Sequence, residues 1–266
     1  MEIQGSVAWI TGGISGIGAA CAEELHKNGA KLILSSRRLE EGLEFAKRFG
    51  DDAIFAQADV KNYRELDAAV TTGIEKFGKL DFLINCAGCS GFESIFVDDV
   101  EDAESSHEMF DEVVRTNLYG TYYAAQAAAS RMKDNKPNAQ GERGNIIFIA
   151  SMASDKVFNF FDERVEEMFS NNYAFAYGAS KAGILGLSRD IAIVLAPYGI
   201  RVNTIKPGYF ETPMTDNPVT ADIYLPMQLF PKVGGNPAAI STLAAEIIRN
   251  VSLNRAEFAI DAGIVG

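Results

Sequence analysis

Seven short apolar runs, separated by longer amphipathic stretches, place the strongest constraint on what this chain can fold into. The runs are SVAWIT (6–11), AKLILSS (30–36), AIFAQAD (53–59), LDFLINCAG (80–88), GNIIFIAS (144–151), IRVNTIKPG (200–208) and AEFAID (256–261). Most are continuous in hydrophobicity rather than alternating, as expected of strands covered on both faces. Between them, a helical period predicts helices over 16–28, 39–49, 63–77 and 107–132. Further helices are expected around Tyr177 and Lys181 and from Pro237 onward, and Gly29 is placed to end the first helix. Strand–helix alternation of this kind predicts an α/β chain. Its core is one doubly wound parallel sheet of about seven strands, with helices on both faces. The 266 residues suffice for a single domain, 1–266, and no linker, repeat or low-complexity tract divides it.

Three segments interrupt the rhythm. Residues 90–106 are acidic and irregular, and residues 152–172 separate a strand end from the next helix. A third stretch, about 208–235, follows the run at 200–208. Ligands in such sheets bind beyond the carboxyl ends of the strands. All three segments follow strands, so they are expected to overhang a site or to be solvated loops. Composition limits the partners. A net charge of −12 argues against nucleic acid, whose phosphates require basic patches. No apolar run reaches membrane-spanning length, and the start, MEIQGSVAWITGG, lacks the basic-then-apolar order of a secretory signal. The three cysteines, Cys21, Cys86 and Cys89, suit a reducing, cytoplasmic compartment. Cys86 and Cys89 form a C-x-x-C. No second ligand pair follows it, so no metal site is expected.

The chemistry concentrates in four places. TGGISGIG follows the first strand and opens the first helix, with Gly12, Gly13, Gly16 and Gly18 and with Ser15 and Ile17 between them. Glycines there let backbone N–H groups approach a phosphate, and the helix N-terminus favours its charge. The second strand ends in SSRR. A carboxylate at that point would hold the 2′-hydroxyl of NAD, whereas Ser36, Arg37 and Arg38 suit the 2′-phosphate of NADP. NNYAFAYGASKAG (171–183) places Lys181 four residues after Tyr177, one helical turn along the same face. A cation beside a phenol favours its anion, so this pair is a candidate acid/base device. The same spacing also occurs on plain helices. The aromatic residues Phe92, Phe158, Phe160, Phe161, Tyr209, Phe210 and Phe230 lie on the interrupting segments.

With these pieces in chain order, the sequence resembles the short-chain dehydrogenase/reductases over nearly its whole length. The motifs are TGGISGIG, Asp59 after the third strand, NCAG at 85–88, Asn117 in RTNLYG, Ser151 in IIFIAS, YGASK and PGYFET. Within that family it is similar to the branch of type 2 3-hydroxyacyl-CoA and hydroxysteroid dehydrogenases. GERGNIIFIASMAS, LAPYGIRVNTIKPG and NRAEFAIDAGIVG carry that likeness. The resemblance implies a Rossmann-type fold and a catalytic tetrad of Asn117, Ser151, Tyr177 and Lys181. Tyr177 would exchange the proton, Lys181 would stabilise the phenolate and bind the nicotinamide ribose, and Ser151 would hold the substrate oxygen. Asn117 would orient a water and Lys181. The resemblance also implies that Asp59 and Val60 contact adenine, that Asn85, Ala87 and Gly88 border the adenosine ribose, and that Pro207, Gly208 and Thr212 border the nicotinamide. Ser151 and Tyr177 stand 26 positions apart, about twice the family's usual gap, so residues 152–172 are read as an inserted substrate-side element.

The expected activity is NADP(H)-dependent interconversion of a secondary alcohol and a ketone, on an apolar or cyclic substrate. Three alternatives stand beside it. One is NAD-dependent 3-hydroxyacyl-CoA or hydroxysteroid dehydrogenation, since that branch generally uses NAD. Another is non-redox isomerisation or cyclisation. The last is a cofactor-binding protein without turnover, which loss of Tyr177 or Lys181 would have marked. The family's habit and the small residues of YYAAQAAAS (122–130) imply a homo-oligomer, a tetramer being favoured.

Overall fold

The computed structural model describes residues 1–156, 172–216 and 218–265. Each apolar run becomes a strand: β1 (Val7–Thr11), β2 (Lys31–Ser35), β3 (Ala53–Phe55), β4 (Phe82–Asn85), β6 (Gly144–Ile149), β8 (Ile200–Pro207) and β9 (Glu257–Ile260). They form one sheet in the order β3-β2-β1-β4-β6-β8-β9, with every neighbouring pair parallel. The chain winds outward from β1 in both directions. The turn after β1 and the turn after β4 therefore diverge and leave a crevice at the carboxyl ends of these strands.

Side chains alternate across the strands, so the sheet has two apolar faces. Ile10, Leu32, Leu34, Ile84 and Ile147 pack beneath α1 (Gly16–Lys27) and α8 (Pro237–Arg249). Trp9, Ile33, Leu83, Ile146 and Phe148 pack against α3 (Tyr63–Phe77), α5 (Gly120–Met132) and α6 (Phe175–Leu195). Helix ends follow local chemistry. The Asn62 side chain accepts from Arg64 N at 3.1 Å to start α3, and Gly78, at φ 83°, ends it. Gly29 adopts φ 87° just past α1, as anticipated.

The helix expected over 107–132 begins earlier. α4 spans Val100–Val114, and Asp99 caps it by accepting from Asp102 N at 2.9 Å. The last part of the acidic 90–106 stretch, from Val100 on, is thus helix rather than loop. Glu101 and Asp102 lie in its first turn, where the helix dipole favours negative charge. Between α4 and α5 the ladder widens into a π turn, Arg115–Tyr119. The 208–235 stretch contains a helix, α7 (Pro218–Met227). α2 (Leu39–Lys47) covers β3. Outside the main sheet, β5 (Glu93–Ser94) pairs antiparallel with β7 (Asn172–Tyr173). Tyr173 therefore stands on a strand and not on the helix of Tyr177. Of the 152–172 element, Met152–Ser154 is a single 3-10 turn. Phe158, Phe160 and Phe161 lie outside the described residues.

Candidate active site

The crevice begins at the glycines. Gly12 adopts φ 63°, and a Cβ there would stand 2.9 Å from Ala87 N and Cα. A Cβ on Gly18 would be driven into the carbonyl of Gly12. The bare backbone of this turn is thus what lets α1 start against β1 and lets Gly12 lie against Ala87 at the floor of the crevice, beyond which the two turns part. Gly16, at φ 51°, has Thr212 directly above it, 3.4 Å from where its Cβ would be. Ser15 precedes the first turn of α1, and no side chain caps that helix end. A dinucleotide pyrophosphate fits this cradle, because the first turn of α1 is uncapped by a side chain and the glycines keep its backbone approachable.

At the carboxyl end of β2, Arg38 turns toward the glycine turn. Its Nη2 donates to Ser15 Oγ at 3.2 Å and its Nη1 pairs with Glu41 at 2.6 Å. Ser36 Oγ accepts from Arg38 N at 3.2 Å. Arg37 lies further out, 3.7 Å from Glu112, with most of its side chain exposed. Asp59 Oδ1 accepts from Lys61 N at 2.9 Å. Val60 is buried, close to Gly120.

The side chain of Asn85 does not face the crevice freely. Its Oδ1 accepts from Thr11 Oγ1 at 2.7 Å and its Nδ2 donates to Thr121 Oγ1 at 2.7 Å. It ties β1 to α5 and thereby sets the backbone of Cys86, Ala87 and Gly88. Asn117 sits in the π turn, fully buried. Its Oδ1 accepts from Cys89 N at 2.8 Å, and its Nδ2 donates to Cys89 O at 2.9 Å and to Ser180 Oγ at 3.0 Å. A π turn rotates one residue inward out of helical register, and here it aims Asn117 at both the 85–89 turn and α6. Asn117 Oδ1 and Lys181 Nζ flank one point beside Gly88, 3.2 and 3.5 Å from where its Cβ would stand.

Ser151 ends β6 and caps the Met152–Ser154 turn. Its Oγ accepts from Ala153 N at 3.1 Å, while Ser154 Oγ accepts from Ser151 N at 3.3 Å. Its hydroxyl also hydrogen-bonds the Tyr177 phenol. Tyr177 stands in the first turn of α6. Lys181, one turn on and 5% exposed, donates from Nζ to Ile149 O at 2.9 Å and lies 5.6 Å from the Tyr177 ring centroid. The structure thus brings Asn117, Ser151, Tyr177 and Lys181 to one place.

Electrostatics there differ from the expectation drawn from Tyr–Lys spacing. Burial pushes the Tyr177 phenol above its usual value, the Ser151 hydrogen bond pulls it back in part, and Cys89 adds to the rise. Burial likewise pushes Lys181 down to about 8, against the opposing influence of Cys86 and Cys89. The ammonium is anchored on a carbonyl beside the ring, so desolvation outweighs its attraction for a phenolate.

Pro207 and Gly208 close β8, with Gly208 N donating to Ile260 O at 2.8 Å. Thr212 is fixed by Thr215, whose Oγ1 accepts from Thr212 N at 3.0 Å. Tyr209 and Phe210 are buried. Phe92 and Phe230 are exposed. Cys86 lies beside Cys21, which together with burial pushes its thiol up, and Cys86 and Cys89 are not joined by a disulfide.

Two neighbours were not legible from spacing. Tyr224 of α7 stacks on Tyr209, with ring centroids 6.0 Å apart, and is pushed up to about 12 by burial and by Tyr177. Glu93 of β5 is 3% exposed at the start of α6. An acidic residue inside the otherwise apolar stretch GFESIFV was its one available signal.

The profile of the short chain dehydrogenase family matches residues 6–222. The chain is 38% identical to the 3-hydroxyacyl-CoA dehydrogenase type-2 of Bos taurus, over 99% of this chain and 96% of that one. It is 31% identical to the ipsdienol dehydrogenase of Ips pini, over 99% and 98%. The solved 3-hydroxyacyl-CoA dehydrogenase type-2 from Mycobacterium avium superposes with a TM-score of 0.85 at 26% identity, covering 98% of this chain and 96% of that one. A short chain dehydrogenase from Burkholderia cenocepacia, in complex with NADP, gives 0.82 at 27% identity, covering 99% of each. Sheet order, glycine turn and these likenesses agree, and the chain belongs to the short-chain dehydrogenase/reductase family, as an NAD(P)-dependent alcohol dehydrogenase or ketone reductase.

Proposed function

We propose that the protein interconverts a secondary alcohol and a ketone with NADP(H), on an apolar or cyclic substrate, using Asn117, Ser151, Tyr177 and Lys181. The observation that carries the cofactor choice is Arg38 reaching Ser15 across the mouth of the glycine turn, with no carboxylate at the end of β2. Gly12, Ser15, Gly16, Ile17 and Gly18 would hold the pyrophosphate, and Ser36, Arg37 and Arg38 the 2′-phosphate. Asp59 and Val60 would border the adenine, the 85–88 turn its ribose, and Pro207, Gly208 and Thr212 the nicotinamide. The nicotinamide supplies the hydride when bound.

The chain's own groups manage the proton. Burial keeps the Tyr177 phenol protonated at neutral pH, so in reduction it gives its proton to the carbonyl oxygen as charge develops there. Ser151 Oγ accepts from Ala153 N, which leaves its own proton to donate. That proton bonds the substrate oxygen once one lies beside Tyr177. Lys181, lowered to about 8, sits close enough to neutrality to exchange protons with the site. Asn117 holds Cys89 and Ser180 in place and so aligns the 85–89 turn with α6.

The stacked Tyr209 and Tyr224 support an apolar or ring-shaped substrate, since they offer a flat aromatic wall. A second reading, NAD-linked 3-hydroxyacyl-CoA dehydrogenation, is favoured by the names of the relatives at 35–38% identity. Initial rates with NADPH and NADH, each against cyclic ketones and against acetoacetyl-CoA, separate the two. Faster NADH turnover of the thioester would displace the first reading. Tyr177→Phe should lower kcat by ~10²–10⁴-fold, the usual loss for a positioned acid. Tyr173→Phe, altering a strand residue outside α6, should stay within a few fold.

A further inference from the structure

α6 carries both Tyr177 and Lys181, yet it starts without a cap of its own. Its N-cap position is Ala174, which has no side chain to satisfy the first amides. A carboxylate from a remote part of the chain does so instead. Glu93 Oε2 accepts from Ala176 N at 3.2 Å, and the same carboxylate takes the N–H of Phe175. These residues immediately precede Tyr177. Glu93 is 3% exposed, and its Oε1 is buried without a hydrogen-bond partner among the described residues. A solvated surface glutamate would not accept that cost. The backbone position of Glu93 is set twice over, by β5 pairing Glu93 with Tyr173, and by Cys89, whose N and O both bind Asn117. Residues 89–93 therefore connect the amide of Asn117 to the first turn of α6.

We propose that Glu93 is a positioning residue for the reaction: its carboxylate fixes the first turn of α6 and so holds the Tyr177 hydroxyl against Ser151. Glu93 itself touches neither reacting atoms nor cofactor. The inference rests on the reading of Tyr177 as the proton carrier. It requires that disturbing Glu93 lowers kcat far more than it weakens cofactor binding, because the glycine turn and the end of β2 lie on other elements and Lys181 is held a turn further along α6 by Ile149 O.

The test uses Glu93→Ala, Glu93→Asp and Glu93→Gln beside Tyr177→Phe in the full chain, with kcat, KM and the dissociation constant for NADPH measured for each. Glu93→Ala should lower kcat at least tenfold with NADPH binding within twofold of wild type. Glu93→Asp keeps the charge but is one methylene too short, and should lose at least fivefold in kcat. Glu93→Gln should recover to within about threefold, because its amide oxygen accepts the same N–H groups. If the alanine variant does not fold, the aspartate and glutamine variants decide alone. Wild-type kcat in Glu93→Asp, or a loss of turnover matched by an equal loss of NADPH binding, would overturn the inference. Normal turnover in Tyr177→Phe would overturn the mechanism beneath it as well. An inactive Tyr177→Phe beside an unaffected Glu93→Ala would overturn the positioning role only.

Discussion

Replacing Arg38 with alanine isolates the contact on which the proposed preference for NADP(H) rests. The guanidinium already spans from Glu41 to Ser15, so little reorganisation is needed for it to meet a 2′-phosphate at the mouth of the glycine turn. A charge-assisted hydrogen bond is worth roughly 1.5–3 kcal/mol. Against this stands the half-exposed Glu41 pair, which is loosened on binding and contributes about 0.2–1 kcal/mol. The net is about 0.5–2.8 kcal/mol, or roughly 2- to 100-fold in affinity at 1.4 kcal/mol per decade. Arg38→Ala should therefore weaken NADPH by that factor and leave NADH within about twofold. Arg37, more exposed and only loosely paired with Glu112, should matter less. Glu41→Gln should tighten NADPH, since it removes the competing carboxylate. Titration by the fluorescence of the reduced nicotinamide, at low and high salt, reads all of these. The NADPH advantage should shrink as salt screens it. An unchanged NADPH-to-NADH ratio in Arg38→Ala, or tighter NADH binding by the wild type, would refute the reasoning.

Four other outcomes follow from the geometry. Lys181 titrates near 10.5 when unfolded and at about 8 when folded, so between these values the unfolded chain holds the extra proton. Stability owed to Lys181 should rise with pH across that window by up to about 3 kcal/mol; a gap between wild type and Lys181→Met that stays constant over the window would contradict it. Gly18→Ala should destabilise by about 1–3 kcal/mol and abolish NADPH binding, because its methyl meets backbone that cannot yield. Gly186→Ala in α6, with open space around it, should be neutral or slightly stabilising by denaturant titration. Phe110, Tyr122, Ile193 and Val194 leave apolar surface exposed on α4, α5 and α6, so self-association is expected; a monomer mass by light scattering at micromolar concentration would exclude it.

What could be read along the chain was what depends on near neighbours. Strand runs such as VAWIT and KLILS, the glycines after β1, the cap at Gly29 and the Tyr177–Lys181 spacing are all local, and each appears where expected. Other features required the assembled fold. Periodicity alone began the helix of Asn117 at 107, whereas Asp99 starts it at Val100, and the π turn that aims Asn117 inward leaves no mark in composition. Glu93 is 83 residues from the amide it accepts from, so no window of sequence connects them. The direction of the Tyr177 shift was also out of reach. Spacing places a lysine beside the phenol, but whether attraction or desolvation wins depends on how much water the surrounding elements remove. Here they bury Lys181 against Ile149 O, and desolvation wins for the phenol and the ammonium alike.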